Sequence, residues 1–128
     1  MTLLFLTTEE VLALHDSQIE AWGGAHGLRD PGALESAVAA PQYQYVYGAG
    51  DIFEIASALM FSLIVNHPFL DGNKRAGTLA GAVTLEMNGV LLREDSAWLA
   101  ELEDVVWRVA KAEASREELA EILRAGSA

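Results

Sequence analysis

Hydrophobic residues recur at helical spacing through most of the chain, and a polar residue suited to capping stands before nearly every such segment. Five of these capping positions are Thr7, Asp30, Asp51, Asp95 and Ser115. A side-chain oxygen at such a position accepts a hydrogen bond from the first turn of the helix that follows. Together with a helix of small residues over 76–88, the pattern predicts an all-α protein of about six helices.

Two consecutive helices carry the most distinctive patterns. The segment from Ile52 to Asn66 is apolar on almost all sides, which is typical of a helix buried at the centre of a bundle. In the next helix, Gly77 and Gly81 lie four residues apart, as do Ala76 and Ala80. Small residues at this spacing share one face of a helix. We therefore expect the second of these helices to pack closely against the first.

Tyrosines alternate with other residues between 42 and 50: they are Tyr43, Tyr45 and Tyr47. We expect Pro41 to end the second helix, and the alternation predicts a strand or ribbon after it. Two interpretations stay open for this segment. It is either a loop whose rings cover the core or a flap that docks an extended peptide, because exposed backbone and aromatic rings suit strand addition. The docking residues of such a flap would be Tyr45, Tyr47 and Gly48.

The remaining segments give weaker signals. Leu3–Leu6 and Val90–Leu92 are short and apolar, and we expect them to be extended and to pair with each other. The tail from Ala125 is expected to fray, as chain ends commonly do. Trp98 and Trp107 lie on the fifth predicted helix. We expect both in the core, with an interface as the alternative, since aromatic residues also anchor partners.

Composition narrows the class of protein. The 128 residues make up one domain, predicted over 1–128. An apolar fraction of 52% with 21% charged residues excludes a disordered chain. The net charge of −11 disfavours direct binding to nucleic acid, because phosphate contacts dominate that affinity. The same charge suits a basic partner, or simply solubility.

The chain gives no sign of export or membrane insertion. Its first six residues lack the basic start and long apolar region of a signal peptide. The longest apolar run, Ile55 to Val65, is too short to span a bilayer. There is no cysteine, so no disulfide or thiolate metal site exists. We therefore expect a cytoplasmic protein without a membrane partner.

The candidate chemistry lies at the junction of the two distinctive helices. The junction reads His67-Pro68-Phe69-Leu70-Asp71-Gly72-Asn73-Lys74-Arg75. The chain has only two lysines, and Lys74 is one of them, directly before Arg75. Adjacent cations between two apolar helices of an acidic protein predict an anion site.

Helix geometry strengthens the anion prediction. Pro68 cannot continue a helix and favours an extended backbone at His67. Asp71 is then expected to be the N-cap, which puts Gly72, Asn73 and Lys74 in the first turn. First-turn N–H groups lack partners within the helix and, with the positive end of the helix dipole, bind anions.

The side chains of the junction suggest group transfer. Lys74 and Arg75 add positive charge, and arginine can grip phosphate oxygens with two parallel N–H groups. Asp71 suits Mg²⁺, which favours carboxylate and phosphate oxygens. His67 carries the side chain that is readily neutral yet basic at pH 7, as a general base requires. The combination predicts phosphoryl or nucleotidyl transfer to a hydroxyl.

The other histidines fit structural roles. His15 lies in the middle of the first helix, and we expect it to hydrogen-bond a neighbouring loop. His26 lies in a glycine-rich loop and is expected to be solvated. With His67 they lack the spacing of a zinc site. A capped helix with a surface Lys-Arg pair would explain single residues of the junction but not the whole pattern.

The nine-residue pattern resembles the signature of the Fic/Doc superfamily, and Lys74 resembles its Doc branch, the toxins of toxin–antitoxin pairs. Further similarities occur in order at Leu14-His15-Asp16, Gly23-Gly24, Asp30-Pro31-Gly32, Leu34-Glu35-Ser36-Ala37 and Asp51-Ile52-Phe53-Glu54. The resemblance implies a compact Fic/Doc-type bundle around a buried central helix. It also implies a short target-binding flap before that helix.

The resemblance further implies a kinase that uses Mg²⁺ and ATP. The γ-phosphate would pass to a Thr or Ser hydroxyl of a protein, with elongation factor Tu as the expected target, halting translation. The implied catalytic residues are His67, Asp71, Lys74 and Arg75, with Asp71 on the metal. The implied phosphate-binding residues are Gly72, Asn73, Lys74 and Arg75.

AMP transfer stays open as the alternative reaction. Nucleotidyl-transferring Fic proteins usually have glycine in place of Lys74 and a second arginine in place of Thr78, so both positions favour the kinase. Gly72 favours the alternative, because Doc itself has alanine there.

The resemblance also implies a partner. No glutamate in the chain is followed by Gly or Asn, so the self-inhibitory motif of some Fic proteins is absent. Restraint is then expected from a separate antitoxin, whose disordered segment folds into a groove. A non-catalytic module that binds its antitoxin and modulates repression remains the alternative from another class.

Overall fold

The computed structural model describes residues 2–48 and 50–128, and the predicted all-α architecture is confirmed. Its six α-helices are α1 (Thr8–Trp22), α2 (Pro31–Tyr43), α3 (Ile52–Asn66), α4 (Asn73–Met87), α5 (Ser96–Ala110) and α6 (Arg116–Ala125). None of the helices in these ranges has both the length and the apolar character needed to cross a bilayer.

Five of the helices begin at the predicted side-chain caps. Thr7 forms the full capping box: its hydroxyl accepts from the Glu10 N–H, and the Glu10 carboxylate accepts from the Thr7 N–H. The other four capping side chains each accept from the N–H three residues later; they are Asp30, Asp51, Asp95 and Ser115. These caps depend on residues within one turn of each other, which is why the sequence predicts them well.

Helix α3 is the buried central helix that the sequence predicts. Eight of its residues are buried: Ile55, Ala56, Ser57, Ala58, Leu59, Met60, Leu63 and Ile64. It contacts α2, α4, α5 and α6. The α4 contact is especially close, because a Cβ atom added at Gly77 would lie 3.2 Å from the Met60 carbonyl oxygen.

Two hydrophobic clusters lie on different sides of α3. One joins α3 to α5 and α6 and includes Trp98, whose indole Nε1 donates to the Ile122 carbonyl at 2.9 Å. The other joins α3 to α1, α2 and α4 and includes Phe69 from the α3–α4 junction. Trp98 is thus in the core as expected, whereas Trp107 is 49% exposed.

The predicted ribbon of tyrosines is wrong where the structure describes it. Helix α2 continues through Pro41, and a π-helical turn, Gln44–Gly48, follows it. Proline's fixed φ is compatible with a helix, although its missing N–H removes one hydrogen bond. Among the described residues, no strand lies beside 42–48 to pair with an extended backbone there. Tyr43 and Tyr47, one turn apart, stack with ring centroids 5.8 Å apart. Ala49 of the predicted ribbon lies outside the described residues, as does Met1.

The expected pairing of the two short apolar segments is also wrong. The Leu4 backbone binds the Asn88 side chain instead, at 2.9 and 3.0 Å. Leu92 forms an isolated antiparallel bridge with Ser127, so the tail is held rather than frayed. Gly126 allows this, since any side chain there would overlap the Trp98 ring.

Candidate active site

The α3–α4 junction is anchored by Phe69, which is 1% exposed. Its ring stacks on His15 of α1, with ring centroids 3.7 Å apart and planes 4° from parallel. His15 Nε2 donates to the Asp71 carbonyl oxygen at 2.7 Å. The predicted structural role of His15 is therefore confirmed, and the exposed His26 faces Asp16. This packing fixes the junction against α1.

His67 ends α3 in an unusual backbone conformation. Its φ of 48° and ψ of 59° are left-handed, so the predicted extended backbone at His67 is wrong. A left-handed residue commonly terminates a helix, but for a residue other than glycine it costs roughly 1–2 kcal/mol. Asn66 is the last helical residue, and His67 is the C-cap. The His67 ring is exposed, and within 2–48 and 50–128 nothing hydrogen-bonds it.

Arg29 holds the backbone on both sides of this strained position. Its Nε donates to the His67 carbonyl at 2.6 Å and its Nη2 to the Asn66 carbonyl at 2.8 Å. The backbone N–H groups of Arg29 and Asp30 donate to the Pro68 carbonyl at 2.7 and 3.0 Å. Sequence reasoning missed Arg29, since its partners lie more than 35 residues away.

The N-cap of α4 is Gly72 rather than the predicted Asp71. Gly72 has φ 77°, a left-handed value that favours glycine. A Cβ there would also lie 3.1 Å from Ile19 Cδ1. Asp71 stands one residue earlier, where its carboxylate accepts from the Ala25 N–H at 3.2 Å and the Gly72 N–H at 2.8 Å.

The surroundings of Asp71 keep it ionised. The hydrogen bonds from the Ala25 and Gly72 N–H groups hold its pKa below the usual value, and the nearby Arg75 guanidinium lowers the pKa further. Two hydrogen bonds leave lone pairs free on the carboxylate. An ionised carboxylate with free lone pairs suits a divalent cation.

The first turn of α4 presents open N–H groups. Among the hydrogen bonds of the described residues, none comes from the backbone N–H of Asn73, Lys74 or Arg75. Such groups, at the positive end of the helix dipole, attract anions. The predicted anion site thus has the backbone geometry it requires.

The Asn73 side chain serves the loop. Its Oδ1 accepts from the Phe69 N–H and its Nδ2 donates to the Phe69 carbonyl, both at 3.0 Å, and the residue is buried. Both side-chain atoms of Asn73 are therefore occupied, and only its backbone N–H is left to bind a phosphate.

The two cations diverge from the N-terminus of α4. Lys74 Nζ lies 4.4 Å from the centroid of the Trp107 ring, a cation–π contact with α5. Arg75 Nη1 donates to the Gly23 carbonyl at 3.1 Å, beyond the end of α1. The open N–H groups are therefore flanked by positive charge from two directions.

A groove of about 820 Å³ begins at this anion site and continues between α4 and α5. Its lining includes Asp71, Gly72, Lys74 and Arg75 at one end and Trp107 along one wall. His67 is outside the lining. The groove is large enough for a nucleotide-sized ligand, and His67 is exposed to solvent.

Comparison with known proteins agrees with this geometry. A sequence model described as the Fic/DOC family matches residues 5–85, which include the entire junction. The chain belongs to the Fic/DOC family. It is 32% identical to "Protein kinase doc" of Escherichia phage P1 over 120 residues, covering 93% of this chain and 92% of the relative. It is 40% identical to "Toxin Doc" of Mycolicibacterium smegmatis over 94 residues, covering 71% and 69%. These relatives confirm the predicted Doc branch.

The candidate docking residues of this Fic/DOC protein lie far from the junction. Tyr45 and Tyr47 are 49% and 79% exposed, and they precede α3. His67 follows α3, whose 15 residues span about 22 Å at 1.5 Å per residue. The structure therefore brings together Asp71, Gly72, Asn73, Lys74 and Arg75 in the lining of one groove. His67 precedes them at the C-terminal end of α3, and the π-helical turn precedes α3.

Proposed function

We propose that this Fic/DOC protein is the toxin of a toxin–antitoxin pair and transfers the γ-phosphate of ATP to a Thr or Ser hydroxyl of a protein. Elongation factor Tu is the first candidate target. The observation that carries the proposal is an exposed His67 at the end of α3 and an open N-terminus at the start of α4, with an ionised Asp71 in the loop that connects the two helices. The names of the two relatives, a kinase and a toxin, agree with it.

The residues of the junction fit Mg²⁺ and ATP. The free N–H groups of Asn73, Lys74 and Arg75 match the oxygens of a polyphosphate. The Lys74 and Arg75 side chains match its charge, and Asp71 offers carboxylate oxygen to the metal. Bound there, Mg²⁺ would neutralise charge on the phosphates and ATP would supply the phosphoryl group.

His67 is the general base of the proposed reaction. It takes the proton of the acceptor hydroxyl, whose oxygen forms a bond to the γ-phosphorus while the bond from that phosphorus to ADP breaks. Lys74, Arg75 and the open N–H groups stabilise the charge that develops on the phosphate oxygens and on the departing ADP. Phosphoryl transfer needs little beyond such positioning and charge stabilisation.

Lys74 favours transfer of the γ-phosphate over transfer of AMP. Its side chain projects from the first turn of α4 into the groove, where it lies against Trp107. A lysine there changes how a polyphosphate fits compared with the glycine of nucleotidyl-transferring Fic proteins. Gly72, shared with those proteins, keeps AMP transfer as the second candidate.

An antitoxin completes the proposal. The chain has no glutamate followed by Gly or Asn, and its net charge of −11 suits a basic partner. We expect a disordered antitoxin segment that folds on binding and keeps the toxin inactive in the cytoplasm. Direct contact with nucleic acid is not expected of so acidic a chain.

Transfer from labelled ATP tests the reaction. The protein, freed of antitoxin, is incubated with Mg²⁺, elongation factor Tu or a bacterial extract, and ATP labelled on either the γ- or the α-phosphate. Label from the γ-phosphate alone is expected. Label from the α-phosphate would mean AMP transfer, and no label from either position would favour the non-catalytic antitoxin-binding module.

A further inference from the structure

We propose that Arg29 is a positioning residue for the reaction, because it fixes the orientation of His67 by holding the two carbonyl groups at the end of α3. The proposal rests on the proposed role of His67 as the base. It adds a residue from the α1–α2 loop, outside the nine-residue junction.

The contact is a two-pronged clamp. Nε and Nη2 lie on one edge of the guanidinium, and they donate to the carbonyl oxygens of His67 and Asn66 at 2.6 and 2.8 Å. These carbonyls lack partners within the helix, as the last carbonyls of any α-helix do. The positive charge of Arg29 also suits the negative end of the α3 dipole. The planar fork of an arginine matches two adjacent acceptors as a single ammonium cannot.

The clamp selects between two backbone conformations of one residue. His67 precedes Pro68, and a residue before proline prefers an extended backbone. The structure has it left-handed instead, at φ 48° and ψ 59°. A change to the extended conformation would rotate the His67 carbonyl away from Arg29. The same rotation would redirect the bond from Cα to Cβ, and with it the imidazole ring.

The rest of the junction does not depend on the Arg29 side chain. The Pro68 carbonyl accepts from the backbone N–H groups of residues 29 and 30, which any substitution retains. The Leu70 N–H donates to the Gly27 carbonyl at 3.1 Å, and Asn73 closes the loop on Phe69. The anion site is thus held by other contacts. Loss of the clamp should move the base and leave the phosphate site in place.

The exposure of Arg29 makes the idea testable. The side chain is exposed, and hydrogen bonds in contact with water add little to the stability of the whole fold. A variant should therefore stay folded. A residue that only stabilised α3 would change the melting temperature without a specific effect on turnover.

Arg124 provides a matched control at the opposite end of α3. Its Nε and Nη2 both donate to the Asp51 carboxylate, at 3.0 and 2.7 Å. Asp51 is the N-cap of α3. Arg124 is therefore an exposed arginine that holds the same helix but contacts nothing in the junction.

The experiment compares Arg29→Met, Arg29→Lys and Arg124→Met with the wild-type chain, with His67→Ala as the reference for loss of the base. Steady-state transfer from ATP to an acceptor protein gives kcat and the KM for ATP, and circular dichroism gives the melting temperature. Arg29→Met should lower kcat by roughly 10- to 100-fold with KM unchanged, the size expected of a misplaced catalytic group. Arg29→Lys should recover part of the loss, and Arg124→Met should keep the wild-type kcat.

A second readout does not depend on activity. The ring signals of His67, assigned in an NMR spectrum by their absence from His67→Ala, should shift in Arg29→Met and stay unchanged in Arg124→Met. Wild-type kcat in Arg29→Met, or unshifted ring signals, would overturn the proposal. If instead His67→Ala transfers phosphate as fast as the wild type, the proposed function fails, while the ring signals still report whether Arg29 positions His67.

Discussion

At the scale of single residues, the junction contains buried residues that hold the loop and more exposed residues that are candidates for chemistry. Phe69 and Asn73 are buried and hold the loop in shape. His67 and Lys74 reach outward, one to solvent and the other into the groove. The sequence predicts this junction as the site. It did not predict that the Asn73 amide is turned into the loop, because that depends on where the chain places Phe69.

Asn73→Ala should destabilise the protein. The substitution leaves the buried Phe69 N–H and carbonyl without partners, at about 1–3 kcal/mol each, so we expect a loss of roughly 2–6 kcal/mol in the free energy of unfolding. Urea denaturation measures it. Asn73→Asp keeps an acceptor for the Phe69 N–H and should cost less. A fully stable Asn73→Ala variant that has lost activity would instead assign the amide to phosphate binding.

At the scale of the helices, capping side chains predict five of the six helix starts, whereas features that depend on distant parts of the chain are not predicted. Capping oxygens act within one turn, so the starts of five helices followed from the sequence. The start of α4 did not, because its N-cap is a left-handed Gly72, which has no side-chain cap. The tyrosine alternation predicted a strand, but a strand needs a partner that the fold does not supply over 42–48. Arg29 carries no local signal at all.

The close contact between α3 and α4 predicts different effects of an alanine substitution at two glycines of α4, Gly77 and Gly81. A Cβ at Gly77 would lie 3.2 Å from the backbone oxygen of Met60, whereas at Gly81 it would lie 3.0 Å from the Met60 sulfur. Backbone cannot move aside, but a methionine side chain adapts. Gly77→Ala should therefore destabilise by about 1–2 kcal/mol, after the gain of up to about 1 kcal/mol in helix propensity.

Gly81→Ala is the matched control and should be close to neutral, because the gain in propensity offsets a small shift of Met60. Thermal unfolding of both variants measures this difference in stability. A larger loss of stability at Gly81 than at Gly77 would contradict the contact between the two backbones.

At the scale of the whole molecule, acidic side chains determine how stability responds to pH. The pKa values of Asp51, Asp71 and Asp95 are all below the usual value in the folded protein. For Asp51, burial alone would raise the pKa, but hydrogen bonds from Glu54 N–H and Arg124 outweigh it. For Asp95, the main cause is the hydrogen bond from the Trp98 N–H, followed by that from Arg93.

Acid should therefore destabilise the fold. A carboxyl group whose pKa is lower when folded stabilises the protein above its unfolded pKa, near 4, and this contribution is lost as the pH falls through the folded value. We expect these groups to leave the free energy of unfolding unchanged from about pH 7 to 5 and to lower it below about pH 4. Urea denaturation across this range measures the effect.

Asp95→Asn isolates one of these groups. Asparagine still caps a helix but does not titrate, so the variant should lose less stability between pH 5 and 3 than the wild type. An equal loss in both proteins would contradict the assignment of acid sensitivity to this cap.

The central claim is that the α3–α4 junction transfers the γ-phosphate of ATP with His67 as the base. The most direct test is intact-mass spectrometry of purified elongation factor Tu after incubation with this protein, Mg²⁺ and ATP, beside a parallel incubation with His67→Ala. The account predicts a gain of one phosphate with the wild type and a rate about 10²–10⁴-fold lower with the variant. An unchanged mass with antitoxin-free wild type, a gain of AMP, or an equal gain of phosphate with His67→Ala would contradict it.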